Sequence, residues 1–408
     1  MVKEGYKETI LGVFPENWAI KQLRDVCNKV TDGTHGTPKE KSEGYPFVTA
    51  KNITNGKLDF TEISYISEKD HRKIISRSKP EKGDILFTHI GTIGQVVEVD
   101  VDFEFSIKNV ALFKPNNDIM SNRYFKYSLE SKVVQNFIKR ILQGGVQQYL
   151  GLGTLRGFNI PVPPLSEQKR IASILSSVDK SIKKTDEVIE ETKELKKGLM
   201  QELLTKGIGH SEFKESKFGK IPLGWEIKQL GEVTHNHDKN RIPLSSKERK
   251  ERKGKFPYYG AQGIIDYIDD FIFKGEYLLV AEDGENLKSR KKPLATVVKG
   301  EFWANNHTHI LSTSKNDIYY LKYIINKVDI SGYITGTAQP KLNQKETKLI
   351  SIPIPSLEEQ KKIASILSSV DAKIQKEEEY KAKLEKLKKG LMQKLLTGKI
   401  RVNTEMEV

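Results

Sequence analysis

Two stretches of the chain place apolar residues at alternating steps of four and three, the spacing that keeps one face of a long helix apolar. The seam positions are Ile171, Leu175, Val178, Ile182, Leu199 and Leu203 in the first stretch, and Ile363, Leu367, Val370, Ile374, Leu391 and Leu395 in the second. The prediction includes Leu195 and Leu387 on the same faces. Each helix would span about 40 residues, or roughly 60 Å.

Both helices belong to an internal repeat, which decides the architecture. The matched pairs are IPVPPLSEQKRIASILSSVD (Ile160 to Asp179) with IPIPSLEEQKKIASILSSVD (Ile352 to Asp371), KKGLMQELLTKGI (from Lys196) with KKGLMQKLLTGKI (from Lys388), and PENWAIKQLRDV (from Pro15) with PLGWEIKQLGEV (from Pro222). Between these anchors the two halves share little. The sequence therefore indicates a duplicated framework around an interior that is not duplicated.

The local signals fit helix ends at the borders of these stretches. Prolines precede both helices and favour an extended backbone there. Ser356 and Glu359 have the spacing of a capping box, and Gly207 and Gly398 stand where the helices should end. We therefore predict a first globular half (residues 1–164), a central helix (165–207), a second globular half (208–356) and a C-terminal helix with its tail (357–408).

A long helix with a bare apolar stripe needs a partner in water. Antiparallel pairing of the two helices is favoured, because it relates two equivalent units by a pseudo-twofold axis. The alternative is that each helix packs on its own globular half.

The globular halves have the composition of mixed domains. Strands are predicted at Asp84–Phe87, Val96–Val101, Val110–Phe113, Tyr277–Ala281 and Ala295–Val298, and helices at Asn122–Leu142 and Ile318–Val328. The fold class is therefore α+β, with two mixed α/β domains separated by two long helices that form an antiparallel coiled coil.

Charge and composition limit the classes of function that the chain can have. The chain has 68 Lys and Arg against 54 Asp and Glu, a net charge of +14, which suits a polyanionic partner such as DNA. The one cysteine, Cys27, points to a reducing compartment. No apolar run is long enough for a membrane span, so a soluble, cytoplasmic protein is expected.

Polar and basic clusters in both halves are the candidates for contacting double-stranded DNA, because Arg and Lys match guanine or phosphate and Asn and Gln match adenine. In the first half they are His35, Lys39, Lys41, Lys51, Asn52, Thr88, His89, Thr92, Gln147 and Gln148, and residues 31–39 are predicted to form an exposed loop. In the second half they are Lys247, Arg249, Lys250, Arg252, Lys253, Lys255, Tyr258, Tyr259, Gln262, Lys288, Arg290, Lys291, Lys292, Asn305, Asn306, His307, His309, Gln339 and Lys341.

Catalytic motifs are not visible in the sequence. A phosphate-binding loop of the G-x-x-x-x-G-K-[ST] type is absent, and so is an Asn-Pro-Pro-aromatic methyltransferase motif. His235 and His237, with His307 and His309, leave open a metal-dependent nuclease, although no carboxylate spacing supports a metal site and none is predicted. The other alternative is a coiled-coil scaffold that binds DNA without specificity.

The repeats closely resemble the specificity subunit of type I restriction–modification systems. The carriers are the two Ile-Pro segments leading to KKGLMQxLLT and the two openings at Trp18 and Trp225. FPYYGAQG from Phe256, WANNH from Trp303, and GDILF from Gly83 with GTIG from Gly91 are similar to elements of that family's recognition domains.

The resemblance implies that two recognition domains each read half of a bipartite, asymmetric DNA site, with the coiled coil setting the spacer. It also implies two modification subunits that bring S-adenosylmethionine, and restriction subunits that bring ATP-driven activity. This chain is then expected to be non-catalytic and to bind no cofactor; S-adenosylmethionine, ATP and Mg²⁺ would be held by its partners.

Overall fold

The computed structural model describes residues 3–54, 56–143, 149–336 and 339–403. The chain divides into two compact units, unit 1 with Met1–Thr185 and Tyr380–Val408, and unit 2 with Asp186–Glu379. Each unit therefore contains one globular half and part of each long helix. No helix in the described ranges combines the length and the apolar character needed to cross a membrane.

The first globular half is built mostly from short strands. They are β1 (Tyr6–Thr9), β2 (Gly12–Pro15), β3 (Ala19–Gln22), β4 (Cys27–Asp32), β5 (Tyr45–Val48), β6 (Ile53–Thr54), β7 (Lys57–Leu58), β8 (Ser64–Ile66), β9 (Ile85–Thr88), β10 (Val96–Glu98), β11 (Ser106–Ile107), β12 (Val110–Pro115) and β13 (Asn159–Val162). The helices are α1 (Leu23–Val26), α2 (Glu68–Ser78), α3 (Asn122–Glu130), α4 (Lys132–Gln143) and α5 (Leu152–Arg156), followed by the long α6 (Leu165–Leu203). A 3-10 turn covers Ala50–Asn52.

A buried central sheet organises this half. Within the described residues, β10, β9, β12 and β4 lie side by side in that order in one antiparallel sheet, and β11, β5 and β8 form a smaller one. Side chains alternate across a strand, so Ile85 and Phe87 face a core shared with α3 and α6, whereas Leu86 faces a second core with Val48 and Ile107. Burial on both faces explains why β9 is an apolar run without polar alternation.

The second globular half has longer strands in a larger sheet. They are β14 (Phe213–Ser216), β15 (Gly219–Pro222), β16 (Glu226–Gln229), β17 (His235–Asn236), β18 (Lys253–Gly260), β19 (Gly263–Ile268), β20 (Phe273–Ala281), β21 (Ala295–Ala304), β22 (Thr308–Ser312) and β23 (Ser351–Ile354). The helices are α7 (Leu230–Val233), α8 (Ser246–Glu251), α9 (Asn286–Ser289), α10 (Ile318–Lys327) and α11 (Gln344–Leu349), followed by the long α12 (Leu357–Leu395). Two 3-10 turns in the described residues cover Asp238–Asn240 and Ser331–Tyr333.

The two halves share one topology. The strand order β17-β22-β20-β21 of unit 2 repeats the order β4-β12-β9-β10 of unit 1, and β18 and β19 extend the second sheet beyond β21. Likewise β3 pairs with β13 and β16 with β23, both antiparallel. The predicted α+β class with two mixed domains is confirmed, and the duplication extends into the interior of the halves.

Two sequence expectations about the first half were wrong in detail. The helix predicted over residues 122–142 is interrupted at Ser131, whose backbone is extended and whose Oγ accepts a hydrogen bond from Val134 N, so that it caps α4. The stretch 31–39, predicted as an exposed loop, begins inside β4, and its first residues are buried. Gly33 packs so closely that a Cβ there would meet Ile107 O at 2.1 Å.

In unit 1 the start of α6 and the end of α12 pair in antiparallel directions. Glu167 contacts Arg401, and Asp179, further along α6, contacts Lys388, which lies earlier in the chain than Arg401. The same part of α6 also enters the core of the first globular half, because Ile171 is buried beside Trp18. Helix pairing and packing on the globular half therefore occur together.

Unit 2 repeats this arrangement with the remaining helix segments. Lys193 and Lys196 of α6 lie 3.9 Å from Glu378 and 2.6 Å from Asp371 of α12, so that the sequence numbers again run in opposite directions. Ile363 and Leu203 are buried in one core with Trp225.

Most of the predicted seam is buried or half-buried, but Leu195 and Leu387 are 56% and 50% exposed. Continuing the alternation of three and four from Leu199 leads to Lys196 and not to Leu195. The equivalent position in the second helix is Lys388. Both lysines are half-buried and paired with aspartates, so the seam passes through them and the neighbouring leucines face outward.

In each half, a hydrogen bond between a tryptophan and a glutamate connects the segment that opens the half to a long helix. Trp18 Nε1 donates to Glu167 Oε2 and Trp225 Nε1 to Glu359 Oε2, each at 3.0 Å, and both indoles are buried. Glu167 also accepts from Arg401, whereas Glu359 accepts from the backbone N–H of Ile208. A carboxylate with little exposure to solvent is costly unless hydrogen bonds satisfy it, and in each copy the indole supplies one of these bonds.

Candidate nucleic-acid interface

In the first half, polar residues converge at one end of the central sheet. Because β4 and β9 both run antiparallel to β12, their last residues lie beside the residue that precedes β12. His35 is held there, with Nε2 2.9 Å from Asp32 Oδ2 and Nδ1 2.8 Å from Asn109 Oδ1. Asn109 adopts a positive φ of 54° to enter the strand. The imidazole remains mostly exposed, so it is available to a ligand at this edge.

Arg77 completes the first sheet end, and the sequence patterns gave no sign of it. Its Nη2 donates to Asp32 Oδ1 at 2.9 Å and to the carbonyl oxygen of Gly33 at 2.7 Å. Asp32 is thus a buried carboxylate shared by a guanidinium and an imidazole. The side chain of Arg77 is itself half-exposed and brings positive charge to the edge.

Two first-half candidates are interior residues. His89 is buried; its Nδ1 contacts Leu150 O, its Nε2 has no hydrogen-bond partner among the described residues, and burial lowers its pKa despite that hydrogen bond. Thr88 donates from Oγ1 to Thr92 O and accepts from Gln95 N, so it holds the turn after β9. Neither side chain faces solvent.

The other first-half candidates occupy varied positions. Lys39, Lys41, Lys51 and Thr92 are exposed. Asn52 is half-buried and serves its own turn, accepting from Thr49 N and donating to Asp59 O. Gln147 and Gln148 lie outside the described residues.

The second half presents the equivalent sheet end with different chemistry. His89 and Glu282 hold matching places, because the backbone oxygen of each accepts from the N–H of Leu150 or Leu342, respectively. His307, which precedes β22 as Asn109 precedes β12, lies with Nδ1 2.6 Å from Asp283 Oδ2 and is half-exposed. Further residues at this end are Asn306, Gln339 and Lys341, which are exposed, and Asn305, which is buried.

A buried charge network lies beneath this second sheet end. His309 Nδ1 lies 2.6 Å from Asp238 Oδ2, and its Nε2 lies 2.7 Å from Leu342 O. Arg241 Nη1 contacts Glu282 at 2.7 Å, and its Nη2 is 3.5 Å from Asp238. Burial alone would raise the pKa of Asp238, but the hydrogen bond and charge of His309, with hydrogen bonds to Asn236 and Ile310, bring it below its usual value.

This network is relevant to the alternative function of a metal-dependent nuclease. Ligand atoms of Asp238, Glu282 and His309 lie within 4.8 Å of one another, a group that the spacing in the sequence did not reveal. The guanidinium of Arg241 already bridges the two carboxylates, and both nitrogens of His309 face oxygen atoms. The arrangement therefore suits an internal ion-pair network. His307 pairs with Asp283 at the surface, and so the two histidines do not share one site.

Three of the six basic residues in the long basic run of the second half pair with acids from β19 and the turn after it. Arg249 and Lys253 pair with Asp266, and Arg252 lies 2.9 Å from Asp269. Lys247 lies 4.0 Å from Glu251, whereas Lys250 is exposed and Lys255 is exposed beside the ring of Phe256. Counting charges along the sequence missed these partners because they are distant in sequence.

The aromatic candidates and the remaining basic candidates also include both buried and exposed residues. Tyr258 is buried and accepts from Leu244 N, whereas Tyr259 is half-buried and Gln262 is exposed at the hairpin turn. Arg290 donates to the carbonyl oxygens of Asn326 and Val328 at the end of α10, and burial lowers its pKa. The remaining exposed candidates of this cluster are Lys288, Lys291 and Lys292.

Two halves of one topology, with different exposed polar groups at equivalent sheet ends, define a duplicated recognition protein. The family model described as type I restriction modification DNA specificity domain matches residues 15–193 and 222–386. The chain therefore belongs to this family and is a type I restriction–modification DNA specificity subunit, as its repeats predict.

Individual relatives match over nearly the full chain. The putative type I restriction enzyme MjaX specificity subunit of Methanocaldococcus jannaschii is 33% identical, and the match covers 98% of each chain. The MjaVIII specificity subunit of the same organism is 28% identical over 98% of this chain and 97% of that protein. The crystal structure of the type I restriction–modification S subunit from M. genitalium has the same fold, with a TM-score of 0.63 at 18% identity, covering 93% of this chain and 96% of that one.

Proposed function

We propose that each globular half reads one half of a bipartite, asymmetric site in double-stranded DNA. The observation that carries this is the pair of equivalent sheet ends with unequal chemistry. His35 sits beside Asn109 in the first half. In the second, His307 follows Asn306 and pairs with Asp283, whose backbone is bridged to Lys341. Identical ends would favour a palindrome, whereas different ends select different bases.

The long helices set the unspecified spacer between the two half-sites and bind two modification subunits. Leu195 and Leu387 support two equivalent docking positions, because they occupy matching places in a near-identical sequence and both are exposed. Exposed apolar side chains at matched positions suit two copies of one partner. The partners supply S-adenosylmethionine-dependent adenine methylation, and restriction subunits supply ATP- and Mg²⁺-dependent activity in the cytoplasm.

This chain itself carries no catalytic activity in the proposal. Of the four histidines that could have served a nuclease, His307 lies in a surface pair and His309 in a closed network. His237 contacts Ser312 Oγ, and His235 is exposed. Arg241, which bridges the acids of that network, would have to leave before a metal could bind.

In vitro selection of randomised duplexes tests the DNA proposal directly. The chain, reconstituted with its modification subunits, should enrich two unrelated half-sites at a fixed separation. Enrichment of a single contiguous site would contradict two-part reading, and equal affinity for all duplexes at fixed salt would favour the non-specific scaffold. Plasmid cleavage by the purified chain alone with Mg²⁺ or Zn²⁺ would favour the nuclease.

Charge introduced at the leucines tests the docking proposal. Leu195→Asp or Leu387→Asp alone should leave one modification subunit bound, and the double variant should bind none. Ile264→Asp, at an equally exposed residue on β19, is the matched control and should leave both bound. Unchanged stoichiometry in the double variant would refute these docking positions.

A further inference from the structure

A fourth matched pair of segments lies inside the globular halves. Tyr124-Phe125-Lys126-Tyr127 of α3 corresponds to Tyr320-Leu321-Lys322-Tyr323 of α10. Its offset of 196 (320 − 124) differs from the 192 of the helices, which conceals it from an alignment of the anchors. Both segments place two tyrosines three residues apart on a helix that packs against the sheet.

The second tyrosine of each motif contacts a long helix. In unit 1, Tyr127 donates from its hydroxyl to Asp179 Oδ2 at 2.7 Å, and Lys388 Nζ lies 2.7 Å from Asp179 Oδ1. Lys388 also lies over the Tyr127 ring, 5.6 Å from its centroid. Three elements therefore meet at one carboxylate: α3 of the globular half, α6 and α12.

Unit 2 contains the same contacts. Tyr323 donates to Asp371 Oδ2 at 2.6 Å, and Lys196 Nζ lies 2.6 Å from Asp371 Oδ1. The three elements are α10, α12 and α6. Lys196 and Lys388 are the seam lysines that displace the neighbouring leucines, and a polar residue at a seam position fixes the register of paired helices.

We propose that these two Tyr–Asp–Lys clamps are positioning groups that fix the angle of each globular half on its helix pair, and thereby the spacer length that the subunit accepts. The inference rests on the proposed reading of a bipartite site. A hydrogen bond to a charged acceptor is directional and stronger than a neutral one. With each clamp intact, a half-site displaced by one base pair is out of reach of its globular half.

The two clamps are unequal, which gives the proposal a specific signature. Lys322 adds a second link from the globular half of unit 2, since its Nζ lies 2.9 Å from Asp371 Oδ2. The corresponding Lys126 in unit 1 instead lies 3.9 Å from Glu130. Loss of the tyrosine hydroxyl should therefore loosen unit 1 more than unit 2.

A duplex series tests the clamps, with both half-sites constant and the spacer varied one base pair at a time. The complete complex with the wild-type subunit should prefer one spacer. Tyr127→Phe together with Tyr323→Phe should reduce that preference at least about fivefold, as expected for loss of bonds to charged groups, with the half-site sequences unchanged. Tyr127→Phe alone should have a larger effect than Tyr323→Phe, and adding Lys322→Met to Tyr323→Phe should remove the difference.

The first tyrosine of each motif gives a matched control. Tyr124 and Tyr320 are equally buried, but their hydroxyls donate to Pro161 O and Pro353 O on strands β13 and β23. Among the described residues they make no hydrogen bond to a side chain of α6 or α12. Their phenylalanine variants should lose stability without accepting new spacers.

Failure of the proposed function and failure of the clamp proposal give different results in this experiment. If the wild-type complex selects no bipartite duplex, the proposed function fails. If it selects one spacer and the clamp variants select it as strictly, the clamps are not positioning groups. If the control variants relax spacing equally, the effect is general loosening and the proposal is also overturned.

Discussion

Arg401 makes a bidentate ion pair with Glu167, with Nε 2.7 Å from Oε1 and Nη2 2.9 Å from Oε2. The pair joins the segment after α12 to the first turn of α6, where Glu167 is buried and also holds Trp18. A bidentate contact to a buried carboxylate is the strongest form of this interaction. The segment after α12 is thus tied to the core of unit 1 through Glu167.

Arg401→Ala should therefore destabilise unit 1. Glu167 would keep only the indole donor, and the expected loss is about 1–2 kcal/mol, since the side chain of Arg401 is partly exposed to screening. Chemical denaturation of the wild-type and Arg401→Ala proteins measures this loss in the free energy of unfolding. Lys399→Ala, at a nearby exposed residue, serves as the control, and equal stability of the two variants would show that the Arg401–Glu167 ion pair does not stabilise unit 1.

Stability should fall in acid partly through Asp238. Burial raises the pKa of this carboxyl, but the hydrogen bond and charge of His309, together with hydrogen bonds to Asn236 and Ile310, leave the folded-state pKa depressed. A group with a depressed folded pKa stabilises the protein above its unfolded pKa of about 3.9, and this contribution is lost as the pH falls through the folded pKa. Asp238→Asn should flatten the decline in the free energy of unfolding below about pH 5. An unchanged slope would assign acid sensitivity to other groups.

Lysines of the basic run in the second half should contribute unequally to DNA binding. Lys255→Gln should weaken binding to all duplexes alike and reduce the salt slope of the affinity by about 1, because it would remove one phosphate contact. Arg252→Gln should mainly lower stability, since this guanidinium pairs with Asp269 and lies over Trp303 at 4.9 Å. Titrations of the complex at several salt concentrations measure the slope, and the reverse pattern would contradict these assignments.

Substitutions at the sheet ends should change one half-site each. His35→Ala should relax base discrimination in one half-site by about 1–3 kcal/mol per position, and His307→Ala in the other. Affinity for duplexes with single base changes measures this effect. Exposed Lys57, outside the candidate set, provides a control as Lys57→Ala. If either histidine variant altered both half-sites, the division of reading between the halves would be wrong.

The sequence predicted the framework well because repeats and helical spacing are local signals. Residues such as Ile171 and Ile363 occupy the predicted packed faces. The prediction that Leu195 and Leu387 lie on the seam is wrong. Whether the leucine or the adjacent Lys196 or Lys388 occupies the seam position depends on the aspartate that the other helix provides.

The interface was harder to predict because it depends on contacts between residues distant in sequence. His35 was found as a polar residue in a turn, but Arg77, its neighbour at Asp32, lies on a different element. His309 was a candidate on composition, yet it is fully buried against Asp238. Polar residues that serve the interior and polar residues that face a ligand look alike until the sheet order is known.

In the proposed function, one chain specifies two different half-sites at a distance set by its helices. The most direct measurement is the genome-wide map of methylated adenines in a host carrying the complete complex, with the wild-type subunit or with residues 183–186 and 375–378 deleted together. A four-residue deletion shortens each helix by about 6 Å, roughly two base-pair steps. We expect the same two half-sites with a spacer shorter by one or two base pairs. An unchanged spacer, or methylation without a bipartite site, would contradict it.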